Sequence, residues 1–271
     1  MKRFLALMLS LAMVFSLTAC GQSGGVSGKS HELTATYTAQ ERNDLGYTTP
    51  GYNGSGATTA LGLALLQHRM EGVYEGLVSP ISVLYALGMT MNGAAGDTLE
   101  QMETALRGTT ADWNTFLTWL LEDTEEHQGS LHLANAIWLR DEDDRLTVKE
   151  SFLQDITDYY HAPAYAAPFD ESTVRDINGF IEKHTDGMIR DVLEDISPLA
   201  AVYLVNALGF EAEWQEKYQP GQVQKGNFTN ADGEAENVDF LYSAEHTYIT
   251  CNEAHGFLKY YLSLIHISEP T

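Results

Sequence analysis

The sequence contains little cysteine and few basic residues. Cys20 and Cys251 are its only cysteines, and 15 lysine and arginine residues stand against 38 aspartate and glutamate residues among 271. The formal net charge is −23. Because a field of that sign repels phosphate backbones, we expect no binding to nucleic acid.

Motifs that indicate an enzyme or a metal site are also missing. The nine histidines form no His-Glu-x-x-His pair, and no Gly-x-Ser-x-Gly segment occurs. The acidic run over residues 141–144 lacks the glycine and the closing glutamate of a calcium loop. The segment Gly28-Lys29-Ser30 resembles the end of a phosphate-binding loop, but Ser23 stands where that motif needs glycine. We therefore predict no enzymatic activity, no metal and no cofactor.

The first residues of the chain resemble an export signal. Lys2 and Arg3 precede an apolar run over residues 4–19, which is shorter than the about 20 residues that span a membrane. The run ends in Leu17-Thr18-Ala19-Cys20, which resembles a bacterial lipobox, where the chain is cut before a cysteine that carries lipid. An ordinary secretion signal with an incidental cysteine is the alternative. We predict a signal peptide over residues 1–19 and a lipid on Cys20 that anchors the protein in the membrane at the bacterial cell surface.

Residues 20–57 are rich in glycine, serine and threonine and show no apolar period. This composition predicts a flexible linker between the lipid and the folded domain. If Cys20 carries lipid, no disulfide can form within the chain, and Cys251 is a free thiol. We expect Cys251 to be a small buried side chain.

The remaining pattern predicts an α+β fold, because helices dominate the first half and strands the second. Ser79-Pro80 is typical of a helix start and precedes a helix over 81–92 that is apolar nearly all round. Residues 131–140 alternate as a strand covered on both faces, with Asn135 interrupting one of them. The long apolar run over 199–210 predicts a central strand buried on both faces.

Several segments, taken together and in order, resemble the serpin family. They are Leu77-Val78-Ser79-Pro80-Ile81-Ser82, Gly93-Ala94-Ala95-Gly96-Asp97-Thr98, Leu133-Ala134-Asn135-Ala136-Ile137-Trp138, Ile177-Asn178-Gly179-Phe180-Ile181 with Thr185-Asp186-Gly187-Met188-Ile189, and Leu204-Val205-Asn206-Ala207-Leu208-Gly209-Phe210 with Trp214. Two positions depart from the family pattern. Phe180 stands where tryptophan is usual, and Glu211-Ala212 stands where Lys-Gly is common.

The resemblance implies a serpin-like fold over residues 58–262, with N-terminal helices, a large β-sheet A and part of a β-barrel. It also implies a monomer that inhibits serine proteases, although some members trap cysteine proteases. In such inhibitors the protease cleaves an exposed reactive loop, which then inserts into sheet A. That loop lies later in the family pattern than residue 262. Residues 263–271 match no serpin element, and we expect them to be a non-native tail at the end of a truncated gene model, with a genuine divergent tail as the alternative.

Four residues match functional positions of the family. Ser79, Ser82 and Asn206 match the shutter, where sheet A opens over a helix, and their polar side chains can pair with backbone groups that opening exposes. The alternative is that the serines only cap the helix and Asn206 is a satisfied core group. Trp214 matches the breach at the top of sheet A, and its alternative is a core aromatic.

Two other functions stay open from the sequence. One is a non-inhibitory serpin-fold binding protein, which differs from an inhibitor in the hinge of the reactive loop. The other is an unrelated solute-binding lipoprotein. That class is expected to alternate strands and helices, and the order of helices followed by strands in this chain argues against it.

Overall fold

A four-stranded mixed sheet with helices on both faces forms the main body of the protein. The computed structural model describes residues 28–40, 52–69, 77–126, 131–141, 146–197, 199–230, 232–252 and 255–262. The helices are α1 (Gly54–Arg69), α2 (Pro80–Gly93), α3 (Gly96–Leu106), α4 (Thr110–Glu126), α5 (Glu150–Tyr160) and α6 (Glu171–His184). The strands are β1 (His31–Glu32), β2 (Leu131–Arg140), β3 (Ala164–Ala167), β4 (Val202–Phe210), β5 (Val223–Thr229), β6 (Ala235–Leu241), β7 (Tyr248–Thr250) and β8 (His255–Phe257).

Some predicted features lie outside the described residues. These are the signal peptide over 1–19, Cys20 and the tail over 263–271. In the part of the chain that the structure describes, no helix combines the length and the apolarity that crossing a membrane requires.

The order of the main sheet is β1-β3-β2-β4. Strands β2 and β3 are parallel, whereas β1–β3 and β2–β4 are antiparallel. The prediction of a central strand over 199–210 is therefore wrong for the described residues, since β4 lies at an edge of this sheet. Its ends are exposed, while Val205 and Ala207 are buried. A long apolar run does not distinguish an edge strand that is covered on its faces from a central one.

The two faces of the sheet belong to two apolar clusters, as the alternation in β2 predicted. Ile137 and Leu139 face a cluster formed with α2, α4 and α5. Ala136 and Trp138 face the other cluster, formed mainly with α6. There the Trp138 ring stacks on Tyr165 at 4.9 Å between centroids and meets the edge of Phe180 at 5.5 Å. Helices on opposite faces therefore hold the sheet between them.

The segment over residues 28–40 belongs to the folded body, so the predicted linker over 20–57 is wrong for these residues. His31 and Glu32 pair with β3, and the Ser30 Oγ donates to the Asp176 carboxylate at 2.6 Å. Thr34 is buried, and its Oγ accepts from the Ala164 N–H at 3.0 Å. These bonds use backbone and polar groups, so the segment needs no apolar period. Helix α1 also begins within the predicted linker, at Gly54.

Two hairpins follow the main sheet. Strand β5 pairs with β6 and β7 pairs with β8, each antiparallel. The β5–β6 connection turns at Gly233, whose φ of +84° favours glycine. Cys251, at the end of β7, is exposed. The expectation that Cys251 is buried is therefore wrong, because this hairpin packs little apolar surface against the body.

Candidate functional site

Ser79 and Ser82 lie at the first turn of α2. Ser79 is the N-cap residue, and its Oγ accepts from the Ser82 N–H at 3.3 Å. The two hydroxyl oxygens are 2.8 Å apart. The Ser79 hydroxyl therefore satisfies one of the free backbone N–H groups at the start of the helix. Among the hydrogen bonds of the described residues, none joins either serine to Asn206.

Asn206 pairs across the sheet with another asparagine. Its Nδ2 donates to the Asn135 Oδ1 at 2.8 Å, and the two residues are direct partners in the β2–β4 register. The Asn135 Nδ2 in turn donates to the backbone carbonyl of Tyr160 at 3.1 Å. Asn135 is 2% exposed. These two bonds connect the sheet to the end of α5 and account for the polar interruption that the sequence places in each strand.

The structure therefore brings together only part of the predicted shutter. Asn206 lies in a part-buried polar contact, and its partners are Asn135 and, through it, Tyr160. The serines form a separate pair at the start of α2. Their role in gating the sheet stays a prediction.

Trp214 lies four residues beyond the end of β4, where the chain pairs with its own last described residues. An isolated bridge joins Trp214 to Tyr261, and their rings stack at 4.3 Å between centroids. Tyr261 also meets the edge of Phe210, the last residue of β4, at 5.0 Å. Trp214 is partly exposed, so it is not a fully buried core aromatic. Its assignment to the breach stays a prediction.

An ion pair borders this tryptophan. The Lys259 Nζ donates to the Glu245 carboxylate at 2.6 Å, and these side chains are only 9% and 13% exposed. The Nζ also lies 4.5 Å from the Tyr218 ring centroid and 5.8 Å from that of Trp214. The hydrogen bond from Lys259 holds the pKa of Glu245 below its ordinary value, and the same bond raises the pKa of Lys259. The pair and the cation–π contacts hold the aromatic rings in place.

Sequence reasoning missed the importance of three residues at these two places. Asn135 carried a signal, since it interrupts an apolar face, but its partner depends on the strand register. Tyr160 contributes a backbone carbonyl, which no side-chain pattern indicates. Lys259 is an ordinary lysine in the sequence, and its low exposure depends on how the chain returns to Trp214.

Most of the chain matches one known protein family. The family described as Serpin (serine protease inhibitor) matches residues 57–261. Serpin-ZX of Arabidopsis thaliana is 31% identical over 185 residues, which is 64% of this chain and 46% of the relative. Neuroserpin of Gallus gallus is 29% identical over 175 residues, 61% of this chain and 42% of the relative. The chain thus spans about half the length of the curated relatives that it matches.

Solved structures give the same result. The thermophilic serpin tengpin in its native state has a TM-score of 0.75 and 34% identity, over 86% of this chain and 59% of that one. The native stressed conformation of AtSerpin1 from Arabidopsis has a TM-score of 0.67 and 26% identity, over 78% of this chain and 58% of that one. These similarities confirm the α+β serpin-like fold. They also show that the alternative of an unrelated solute-binding lipoprotein is wrong.

Proposed function

The chain belongs to the serpin family, and on this premise we propose that the intact protein inhibits serine proteases by accepting its own cleaved reactive loop into the sheet that contains β2 and β4. Serpins are generally protease inhibitors and not enzymes. The loop, the protease that cleaves it and the insertion step are all part of the proposal.

The observation that supports this function most directly is the polar contact between β2 and β4. Asn206 of β4 donates to Asn135 of β2, and Asn135 donates to the Tyr160 carbonyl at the end of α5. Asn135 is 2% exposed, and Asn206 is partly buried. These bonds give the sheet a polar attachment to the helices beneath it, which suits a sheet that must rearrange against a helical layer.

The test begins at the gene. The locus is sequenced downstream of codon 262, and the protein from the resulting reading frame is incubated with trypsin, chymotrypsin, elastase and subtilisin. An inhibitor of this type forms an acyl-linked adduct with the mass of both proteins, which survives sodium dodecyl sulfate. The same protease with its active-site serine blocked must give no adduct. If every protease cleaves the protein and none forms an adduct, inhibition is wrong and a non-inhibitory binding role replaces it.

A matched pair of variants links the result to the sheet. Asn206→Ala removes the donor to Asn135, whereas Asn237→Ala changes an exposed asparagine in β6. If insertion moves this sheet, Asn206→Ala changes the ratio of adduct to cleaved protein, and Asn237→Ala leaves it unchanged. If the ratio of adduct to cleaved protein is the same in both variants, movement of this sheet does not explain inhibition.

We also propose that a lipid on Cys20 holds the protein at the outer face of a bacterial membrane. The support is the run of apolar residues before the Leu-Thr-Ala-Cys segment. Expression in a bacterium with labelled palmitate is the test, with Cys20→Ala as the variant and Cys251→Ala as its control. Label is expected in the parent and in Cys251→Ala, and its absence from both would contradict the proposal.

A further inference from the structure

A cluster of polar side chains lies buried where α2, α4 and α5 meet. The Asn92 and Asn114 amides exchange two hydrogen bonds of 2.9 Å each. The Tyr160 hydroxyl donates to the Asn114 Oδ1 at 2.6 Å. Tyr160 is fully buried and Asn114 is 5% exposed. Each of the three helices therefore contributes one side chain to a single hydrogen-bonded group.

A glycine in α2 leaves room for the Tyr160 side chain. A Cβ at Gly88 of α2 would lie 2.6 Å from the Tyr160 hydroxyl oxygen and 3.0 Å from Leu117, so only glycine leaves room there. Burial raises the pKa of Tyr160, which keeps the hydroxyl protonated and able to donate. The ring also meets the edge of Tyr85 at 6.3 Å between centroids. Tyr160 is thus held in one position.

The same residue is bonded to the sheet through its backbone. The Tyr160 carbonyl accepts from Asn135 at 3.1 Å, and Asn135 accepts from Asn206 at 2.8 Å. Two sets of hydrogen bonds, joined by the covalent frame of Tyr160, therefore run from β4 through β2 and α5 to α4 and α2. We name the five residues of these two sets, Asn206, Asn135, Tyr160, Asn114 and Asn92, the polar relay.

We propose that the polar relay is a conformational coupling device, in which the packing of α4 against α2 controls how easily β2 and β4 move over the helical layer. Tyr160 connects the two ends because its hydroxyl belongs to the helices and its carbonyl to the sheet. We therefore expect a displacement of one end to strain a hydrogen bond at the other. Buried hydrogen bonds of this kind reinforce one another, and breaking one leaves its neighbour unsatisfied.

The coupling itself does not depend on the proposed function, but its use in protease trapping does. If loop insertion requires the sheet to slide, then a change on the α4 side of the relay alters that step at a distance. The test therefore uses hydrogen exchange in the chain alone, with no protease present. Failure of protease inhibition leaves its outcome unchanged.

Tyr160→Phe interrupts the relay at the hydroxyl and keeps the carbonyl. Amide exchange of β2 and β4 is measured in this variant, in Asn135→Ala and in the double variant. We expect Tyr160→Phe to speed exchange about fivefold, the size expected for one lost hydrogen bond. In the Asn135→Ala background, where the connection is already broken, the same change is expected to add less than about twofold.

Thr118→Ala is the matched control. The Thr118 Oγ donates to the Tyr159 carbonyl at 3.0 Å, so it also joins α4 to α5 but lies outside the relay. We expect Thr118→Ala to change the exchange rate of β2 and β4 by the same factor in the parent and in Asn135→Ala. If Tyr160→Phe increases the exchange rate by the same factor in the parent and in Asn135→Ala, the proposal is overturned. It is also overturned if Tyr160→Phe does not speed exchange in the parent.

Asn92→Ala tests whether the result of Tyr160→Phe comes only from a local change at position 160. It removes the α2 side chain of the relay, which donates to the Asn114 Oδ1 at 2.9 Å and to the Tyr160 hydroxyl at 3.3 Å, and leaves the Tyr160 side chain itself unchanged. We expect the same pattern, with faster exchange in the parent and little addition to Asn135→Ala. Equal acceleration in both backgrounds would again contradict coupling.

Discussion

The body over residues 28–210 and the hairpin region over residues 211–262 are held together in different ways. Every buried apolar side chain in the described residues lies between Leu84 and Ala207. Large apolar side chains are exposed in both regions, but the described part of the hairpin region has no buried core beside them. Its exposed ones are Val223, Phe228, Leu241, Tyr242, Tyr248, Ile249, Phe257, Leu258, Tyr260 and Leu262. A two-stranded hairpin alone is only marginally stable, and burial of apolar surface is the main stabilising contribution to a fold. The body therefore determines the stability of this chain.

The contact between these two regions is aromatic and charged. Tyr261 lies between Phe210 at the end of β4 and the Trp214 ring, and Lys259 reaches Glu245 beside them. The proposed breach is thus built from residues of the weakly packed region, next to the last residue of a well-packed strand. A site that must rearrange is expected where local stability is low.

The largest expected effect comes from the core of the body. Ile156 is fully buried, and Ile156→Ala is expected to lower the free energy of unfolding by about 2–5 kcal/mol, because it leaves a cavity. Ile249→Ala in β7, where the side chain is 52% exposed, is expected to change it by less than about 0.5 kcal/mol. Urea unfolding followed by circular dichroism measures both. Similar losses in the two variants would break the comparison.

A smaller effect is expected from overpacking. Gly88→Ala places a methyl group against the Tyr160 hydroxyl and is expected to lower the free energy of unfolding by about 1–3 kcal/mol. A Cβ at Gly256 in β8 meets nothing within 4 Å, so Gly256→Ala is expected to be tolerated. The same urea titration compares them, and a Gly88→Ala variant as stable as the parent would contradict the position of Tyr160.

One change in the body is expected to stabilise it. Gly179 lies inside α6, and a Cβ there meets nothing within 4 Å. Gly179→Ala is expected to raise the free energy of unfolding by about 0.5–1 kcal/mol, because alanine loses less backbone entropy in a helix. A thermal melt would show this as a higher midpoint. A lower midpoint would mean that α6 packs more tightly than described.

The smallest effect concerns acid and the hairpin region. The pKa of Glu245 is lowered from its ordinary 4.5, so its bond to Lys259 stabilises the fold above about pH 4.5. That contribution is lost as the pH falls through the lowered pKa. We expect the fluorescence of Trp214, obtained by subtracting the spectrum of Trp214→Phe, to change as the pH falls below about 4.5. Glu245→Gln should abolish the transition, while Asp239→Asn, at an exposed pair with Lys225, should keep it.

The body was the more predictable region. Ser79-Pro80 marked the start of α2 by capping chemistry, and alternation in residues 131–140 predicted both faces of β2. The strand β1 was not predictable, because two residues that pair through their backbone leave no side-chain pattern. The edge position of β4 depends on strand order, which a single apolar run does not contain.

The candidate site was predictable only one residue at a time. Asn206 stood out as a polar residue in an apolar run, but its bond to Asn135 depends on register. The link to Tyr160 joins residues 25 apart in the chain through a carbonyl. Exposure of Cys251 was missed because cysteine is usually buried, whereas its hairpin packs little against the body.

Amide hydrogen exchange across the chain tests the contrast between the two regions most directly. The amides of β2, β4 and α5 are expected to exchange at least about a hundredfold more slowly than those of β5 to β8, because only the former lie in a buried core. Rates that are equal in the two regions, or slower in the hairpins, would contradict the account.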